Sequence, residues 1–219
     1  MIISQDDIMH SEEKRAGSLR DLELFKMMLQ PHFLFNSLNN LYALSIKKSD
    51  QTAEAIAGLS GLLARVVSCS RMEYIPLSRE VHLIEEYIGL ERIWLGETNF
   101  LLDLHVVGQT EELMIPPLVL YTFIENAFKH GIRKCHGDGW LTIRVEVKKN
   151  KLHFTAKNKL SRDCQELDGE SEKHTELGIK AVNELLEKKC AGRYHLVTGA
   201  RGDVYRVHLV ICQPTAEKK

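Results

Sequence analysis

The stretch "IPPLVLYTFIENAFKHGI" (residues 115–132) opens on two prolines, runs apolar, and then places Glu125, Asn126, Lys129 and His130 close together. If the run is helical, positions three and four apart share a face, so Asn126 neighbours His130 and Glu125 neighbours Lys129. One reading is an ordinary helix end: a Glu–Lys pair with Gly131 as the C-cap. The other is a metal–phosphate site, in which an Asn or Glu oxygen ligates Mg²⁺ while Lys and His meet phosphate oxygens.

The residues beyond this helix favour the second reading. A strand ending at Asn158 leads into the acidic stretch "KLSRDCQELDGESEKHTEL" (159–177), after which Gly178 reads as the start of a helix over about 178–189. A loop that long in a compact domain is usually a lid or is disordered. A glycine at a helix N-terminus lets a phosphate approach backbone amides. Helix with Asn, strand, loop, glycine, helix is the order that a nucleotide-binding α/β sandwich needs.

Outward from this centre, "NFLLDLHVV" (99–107), "WLTIRVEV" (140–147), "LHFTAKN" (152–158) and "VYRVHLVI" (204–211) alternate partially and are rich in branched residues, as strands are. The N-terminal half reads as helices, from about Ser18 to Lys48, Gln51 to Arg71, and Ser78 to Leu95, with Ser78 as an N-cap. The expected fold class is α+β: a helical region followed by a two-layer α/β sandwich. The expected divisions are a polar segment 1–17, a helical region 18–97, an α/β domain 98–214 and a tail 215–219.

The first helix contains "LQPHFLFNSLNNLYALS" (29–45), with Pro31 beside His32. Proline inside a helix costs about 3 kcal/mol by removing an amide and crowding the preceding turn. It leaves the carbonyl near Met27 unpaired and can bend or loosen the helix next to His32. At about 100° per residue, Leu34, Leu38 and Leu41 form one stripe, and His32, Asn36 and Asn39 lie roughly opposite. His32 is therefore expected on a polar, accessible face, with Phe33 to Phe35 and Leu38 in the core of a bundle. Two helices this long and this apolar exceed what one hairpin covers, which predicts a four-helix bundle with a second chain.

Composition narrows the classes. Lys plus Arg is 29 against 30 for Asp plus Glu, which argues against a general nucleic-acid or polyanion binder. Five cysteines show neither a CxxC pair nor zinc-ligand spacing and fit reduced thiols in the cytoplasm. No apolar run reaches the roughly 18 residues that span a bilayer, and the N-terminus lacks a signal-peptide core.

"QPHFLFNSLNNL" together with "IPPLVLYTFIENAFKHGI" resembles the LytS/YehU-type sensor histidine kinases, whose pattern is close to NPHFLFNxLN…PPLLLQPLVENAIKHG. "LSREVHLIEEYIGLERI" (77–93) is similar to the linking helix of that family, and the resemblance spans about residues 22–212. It implies the Bergerat ATP-binding fold shared with Hsp90, gyrase and MutL. His32 matches the phosphoacceptor, with Asn36 the following amide. Asn126 matches the Mg²⁺-binding asparagine, Glu125 the acid beside it, and Lys129 and His130 the phosphate-side residues. The implied cofactors are ATP and Mg²⁺. The implied partners are a second copy and a response regulator, usually of LytTR type, with no direct nucleic-acid contact. The implied setting is the cytoplasm, either as a natural start at Met1 or as the cytoplasmic part of an inner-membrane sensor.

The departures are as specific as the matches. The Asp-x-Gly-x-Gly loop of the family is "NKLSR" here: alternation puts Asn158 at the aspartate position, and Leu160 and Arg162 replace the glycines. In the Gly-x-Gly segment Gly178 survives, but the first glycine is Glu176 and the asparagine is Ala181. Two functions are thus expected to compete. The leading one is an ATP-dependent protein-histidine kinase that phosphorylates His32, with Glu125 accepting the imidazole proton, and passes the phosphate to a response-regulator aspartate. The alternative is a dimeric signalling scaffold with weak or no ATP turnover.

Overall fold

The computed structural model describes residues 31–96, 100–135, 138–160 and 169–213. Two helices come first, α1 (Pro31–Ile46) and α2 (Thr52–Ser70), packed against one another. Strand β1 (Ile75–Pro76) leads into α3 (Leu77–Leu95), followed by β2 (Phe100–Val107), β3 (Met114–Ile115) and α4 (Val119–His130). A 3₁₀ turn (Ile132–Lys134) precedes β4 (Gly139–Lys148), β5 (Lys151–Lys159), α5 (Gly169–Cys190), β6 (Tyr194–Arg201) and β7 (Val204–Cys212).

The main sheet has the order β2-β4-β5-β7-β6, with β2 parallel to β4 and every other pair antiparallel. Alternation decides its two faces. Leu141, Ile143 and Val145 on β4, Leu152, Phe154 and Ala156 on β5, and Val207, Leu209 and Ile211 on β7 are all buried. They meet the buried faces of α4 and α5, including Phe123, Ile124, Phe128, Val182 and Leu186, in a two-layer α/β sandwich. The expected α+β class is what the chain adopts. The same apolar core continues through Ile84, Tyr87 and Ile88 of α3 to Leu59, Leu62 and Val66 of α2.

The first amides of α3 are satisfied by backbone, not by a side chain. The Leu77 N–H donates to the Leu113 carbonyl at 2.7 Å and the Ser78 N–H to the Thr110 carbonyl at 3.1 Å. Ser78 therefore lies inside the first turn, and Pro76 occupies the N-cap position expected of Ser78. Proline is tolerated there because a helix start has no use for its missing N–H. Strands β1 and β3, two residues each, carry too little pattern to be read from sequence. Strand β6 gives a weak signal because as an edge strand it buries little.

The start of α4 is made by another helix. Leu118 has a left-handed backbone (φ 64°), and no side chain of its own segment caps the first turn. Glu80, fully buried on α3, fills that place: its carboxylate accepts the Leu118 and Tyr121 N–H groups, both at 2.9 Å. A carboxylate at a helix N-terminus also meets the positive end of the helix dipole.

Helix α1 leaves much of its apolar surface uncovered within the single chain. Ser37 is buried and Leu41 and Leu44 are half-buried, whereas Leu34, Phe35, Leu38, Tyr42 and Ile46 are exposed. Phe35 and Leu38, expected in a core, thus lie on the outside of the single chain. The residues before Pro31, including Met27, lie outside the described residues. Helix α2 is long and apolar enough to cross a membrane by length and composition, contrary to the reading of short apolar runs. Its buried stripe belongs to the core described above, and Arg65 in its middle pairs with Glu86 of α3 at 2.7 Å.

Removing the Glu80 carboxylate leaves two buried N–H groups without acceptors. Glu80→Ala is expected to cost about 2–4 kcal/mol, and Glu80→Gln, which keeps one acceptor oxygen, about half of that. Urea unfolding of both variants checks the size and the order of the two losses.

Candidate functional site

Helix α4 carries the site because its sequence switches from all-round apolar to mixed in its second half. Residues 119–128 are buried throughout, so Glu125 and Asn126 are held inside the protein, while Lys129 and His130 in the last turn are half-buried. Asn126 is 7% exposed, and its buried Nδ2 has no hydrogen-bond partner among the described residues. Leaving a buried amide half-satisfied costs free energy that folding alone does not recover. Such a group fits a ligand that reaches it from outside.

Glu125 sits beside Lys129, Glu91 and Arg133. Burial pushes its carboxyl up to about 7, against an opposing pull from the Lys129 ammonium. Burial also lowers the ammonium of Lys129, with Glu125 as the opposing influence. A carboxyl near neutrality is matched to proton transfer at physiological pH. Neighbouring Glu91, fully buried on α3, holds Arg133 in a two-point fork at 2.6 and 3.0 Å. The guanidinium lies over the Trp94 ring, 5.7 Å from its centre. Tyr87 packs edge-on against Tyr121 and Phe128 and completes this wall.

Gly131 closes α4, its N–H donating to the Ala127 carbonyl at 3.0 Å, as a C-cap glycine should. It is glycine for reasons of space. A β-carbon there would stand 2.3 Å from Asn158 Nδ2, 2.5 Å from the Ala127 oxygen and 2.8 Å from the Lys159 oxygen. The close approach brings Asn158, which stands at the aspartate position of the family's Asp-x-Gly-x-Gly loop, to the end of the helix that bears Asn126. Asn158 faces inward, as the alternation of β5 required, and is 3% exposed. Its Nδ2 donates to the Lys159 carbonyl at 3.0 Å, a bond that an aspartate in the same pose would replace with repulsion.

Two expected site residues are placed differently. Gly178 does not open a helix: α5 begins at Gly169 and runs through Gly178 to Cys190. Its amide is in the helix interior, so the argument for phosphate binding at a helix N-terminus does not hold for it. The helix-forming Glu and Lys residues of 170–176 extend the helix backwards and override the loop reading. His32 lies in the first turn of α1, whose packing partner is α2, and its side chain lies outside what is described. The structure thus groups Glu125, Asn126, Lys129, His130 and Asn158 around the end of α4, with His32 on a separate helix. Sequence reasoning missed Glu80, Glu91 and Arg133. The only sign of them was two glutamates eleven positions apart on α3, which places both on one helical face.

The sequence profile described as "Histidine kinase" matches residues 20–99. A "Sensor protein LytS" of Staphylococcus haemolyticus (strain JCSC1435) is 26% identical over 187 residues, 83% of this chain and 32% of the relative. "Sensor histidine kinase YpdA" of Escherichia coli (strain K12) is 29% identical over 160 residues, 72% of this chain and 28% of that protein. Over most of its length the chain is similar to LytS-type sensor histidine kinases. It spans about a third of the length of the curated relatives it matches. Among solved structures, the kinase domain of a blue-light activated histidine kinase from Erythrobacter litoralis is similar at 15% identity with a TM-score of 0.48, over 88% of this chain and 93% of that one.

The burial of Glu125 has a consequence for pH. Its carboxyl keeps its proton to about pH 7 when folded and to about 4.5 when unfolded. The folded state then binds more protons in that window, so this group's contribution is full below about 4.5 and is lost as pH rises through about 7. Glu125→Gln mimics the protonated form. Relative to the unaltered protein it is expected to gain stability between pH 5 and pH 8, by about 3 kcal/mol at most. Chemical unfolding at several pH values measures the difference.

Proposed function

We propose that this LytS-type chain is a phosphotransfer unit: it takes the γ-phosphoryl group of ATP onto His32 and passes it to an aspartate of a response regulator, one of LytTR type. The observation that carries this reading is the buried Asn126 amide with its unpartnered Nδ2, set beside a carboxyl tuned to neutrality. Asn126 would hold Mg²⁺ through its oxygen, and Lys129 and His130 in the next turn are close enough in sequence to meet phosphate oxygens. Bound Mg²⁺ would neutralise charge on the phosphates. The chain's own part is to position the groups and to move one proton. An imidazole nitrogen of His32 forms a bond to the γ-phosphorus as the bond to the bridging oxygen breaks, and Glu125 as carboxylate accepts the imidazole proton.

Because His32 lies on α1 and the nucleotide end lies on α4, the transfer requires the two regions to meet, within one chain or across a dimer. The exposed stripe of Leu34, Phe35, Leu38 and Tyr42 supports the dimer, since large apolar groups in a row are stabilised by covering. The proposed setting is the cytoplasm, or the cytoplasmic side of an inner-membrane sensor.

A second reading is favoured by the adenine end. There Asn158 is turned to the Lys159 carbonyl and Gly178 is locked in a helix, which together weaken a nucleotide site. In that case the chain is a dimeric scaffold that transmits a conformational state with little ATP turnover.

Three measurements separate these readings. Calorimetric titration should show weak, Mg²⁺-dependent ATP binding that Asn126→Ala abolishes; binding unchanged in the variant would remove the basis of the proposal. Labelled ATP should give acid-labile phosphate that is absent from a folded His32→Gln variant, and no label at any ATP concentration would favour the scaffold. Glu125→Gln should slow labelling about 10²–10⁴-fold.

The dimer has its own test. Phe35→Glu with Leu38→Glu should convert a dimer at tens of micromolar into a folded monomer in sedimentation equilibrium. A monomer before mutation would count against the bundle.

A further inference from the structure

The sheet has a second face that the nucleotide site does not use. Inward residues of the three central strands are mostly apolar and buried, Asn158 being the polar exception, so their alternate neighbours form the outer surface. In a chain whose basic and acidic residues nearly balance, that surface does not balance. Its outward positions on β4, β5 and β7 include Arg144, Lys148, Lys151, Lys157, Lys159 and Arg206, against the carboxylate of Glu146. Of these cations only Lys159 has a carboxylate partner among the described residues, Asp138.

Strand register sets like charges against one another. Lys157 is directly opposite Arg206 in the antiparallel β5–β7 pair, and Lys148 is directly opposite Lys151 in the β4–β5 pair. Like charges facing each other across strands destabilise a sheet. The fold therefore bears a cost along this face that an opposite charge from outside would offset.

We propose that the open face of the sheet is a docking surface for an acidic protein surface, centred on Arg144, Lys157 and Arg206. Three observations choose this partner. Trp140, near one end of β4, is the single Phe, Tyr or Trp at an outward position of β4, β5 and β7, so the row of stacking aromatics that single-stranded nucleic acid uses is lacking there. The exposed apolar residues Leu101, Val107 and Val197 lie on the two edge strands, and the outward Trp140, Val204 and Val210 of the central strands are half-buried, so the centre has little to insert into a bilayer. Thr142, Thr155 and Glu146 are interspersed among the cations, a mixed pattern that suits a protein surface of complementary charge more than a uniform polyphosphate.

The test uses the whole chain and a fluorescent poly-glutamate peptide of about thirty residues, with poly-glutamine as control. Binding to poly-glutamate is expected at low salt, weakening as salt rises. Lys157→Glu should weaken it about ten-fold or more, whereas Lys47→Glu on the exposed end of α1 should leave it unchanged. Lys157→Glu also replaces a like-charge cross-strand pair by an opposite one, so its thermal midpoint is expected to rise by about 1–4 °C as binding is lost. A stabilised fold with lost binding is the signature of a surface kept for a partner. No poly-glutamate binding at low salt, equal loss in Lys47→Glu, or tighter binding to phosphatidylglycerol vesicles or duplex DNA than to poly-glutamate would overturn the proposal.

Discussion

The described fold depends on two buried carboxylates of one helix. Glu80 and Glu91 on α3 grip the two ends of the helix that carries the site: Glu80 accepts the first amides of α4, and Glu91 holds Arg133 just beyond its end. Buried charge is expensive unless paired and hydrogen-bonded, and both glutamates meet that condition in different ways. The Glu80 carboxyl, pushed up to about 7 by burial with the backbone N–H groups opposing, is anchored by backbone. Glu91 is anchored by a guanidinium that burial disfavours and Glu91 itself sustains. A helix pinned at both ends has little freedom to slide, so Glu125 and Asn126 inherit a fixed position.

That fixed position explains why the site can tolerate unfavourable chemistry. Glu125 stays protonated to about neutrality because it is desolvated, and Asn126 Nδ2 stays unpartnered because its helix cannot move to satisfy it. The edge-to-face cluster of Tyr87, Tyr121 and Phe128 fills the space between α3 and α4 and adds packing energy where polar groups subtract it. The same helix α3 continues the core of α2.

The corner around Asn158 shows how one side chain organises its neighbours. Asn158 occupies an inward position on β5 against Gly131, where an amide can give a hydrogen bond to the Lys159 carbonyl and a carboxylate cannot. Further along, a helix that starts at Gly169 takes up Gly178 and buries Ala181 and Val182, so the small residues serve packing between α5 and the sheet.

Much of this was legible in the sequence alone. Period-two alternation fixed the inward set of β4, β5 and β7, including Asn158, because a strand can turn a residue only one way or the other. The prolines, the apolar run and the polar turn of 115–132 determined α4 and its site residues. Local signals failed where the deciding partner is distant in sequence. Nothing near Leu118 shows that Glu80, 38 residues earlier, caps its helix. Nothing near Arg133 shows Glu91, 42 residues earlier. The helix of Gly169–Cys190 reads as a loop in its first turns because they are polar all round, and polar helices lack the apolar period that marks them. The outer charge of the sheet needed strand register, since Lys157 and Arg206 are remote in sequence and meet only when β5 pairs with β7. Sequence determined which residues face inward; tertiary structure alone decided which buried charges and which like charges meet, because electrostatic partners are set by distance in space.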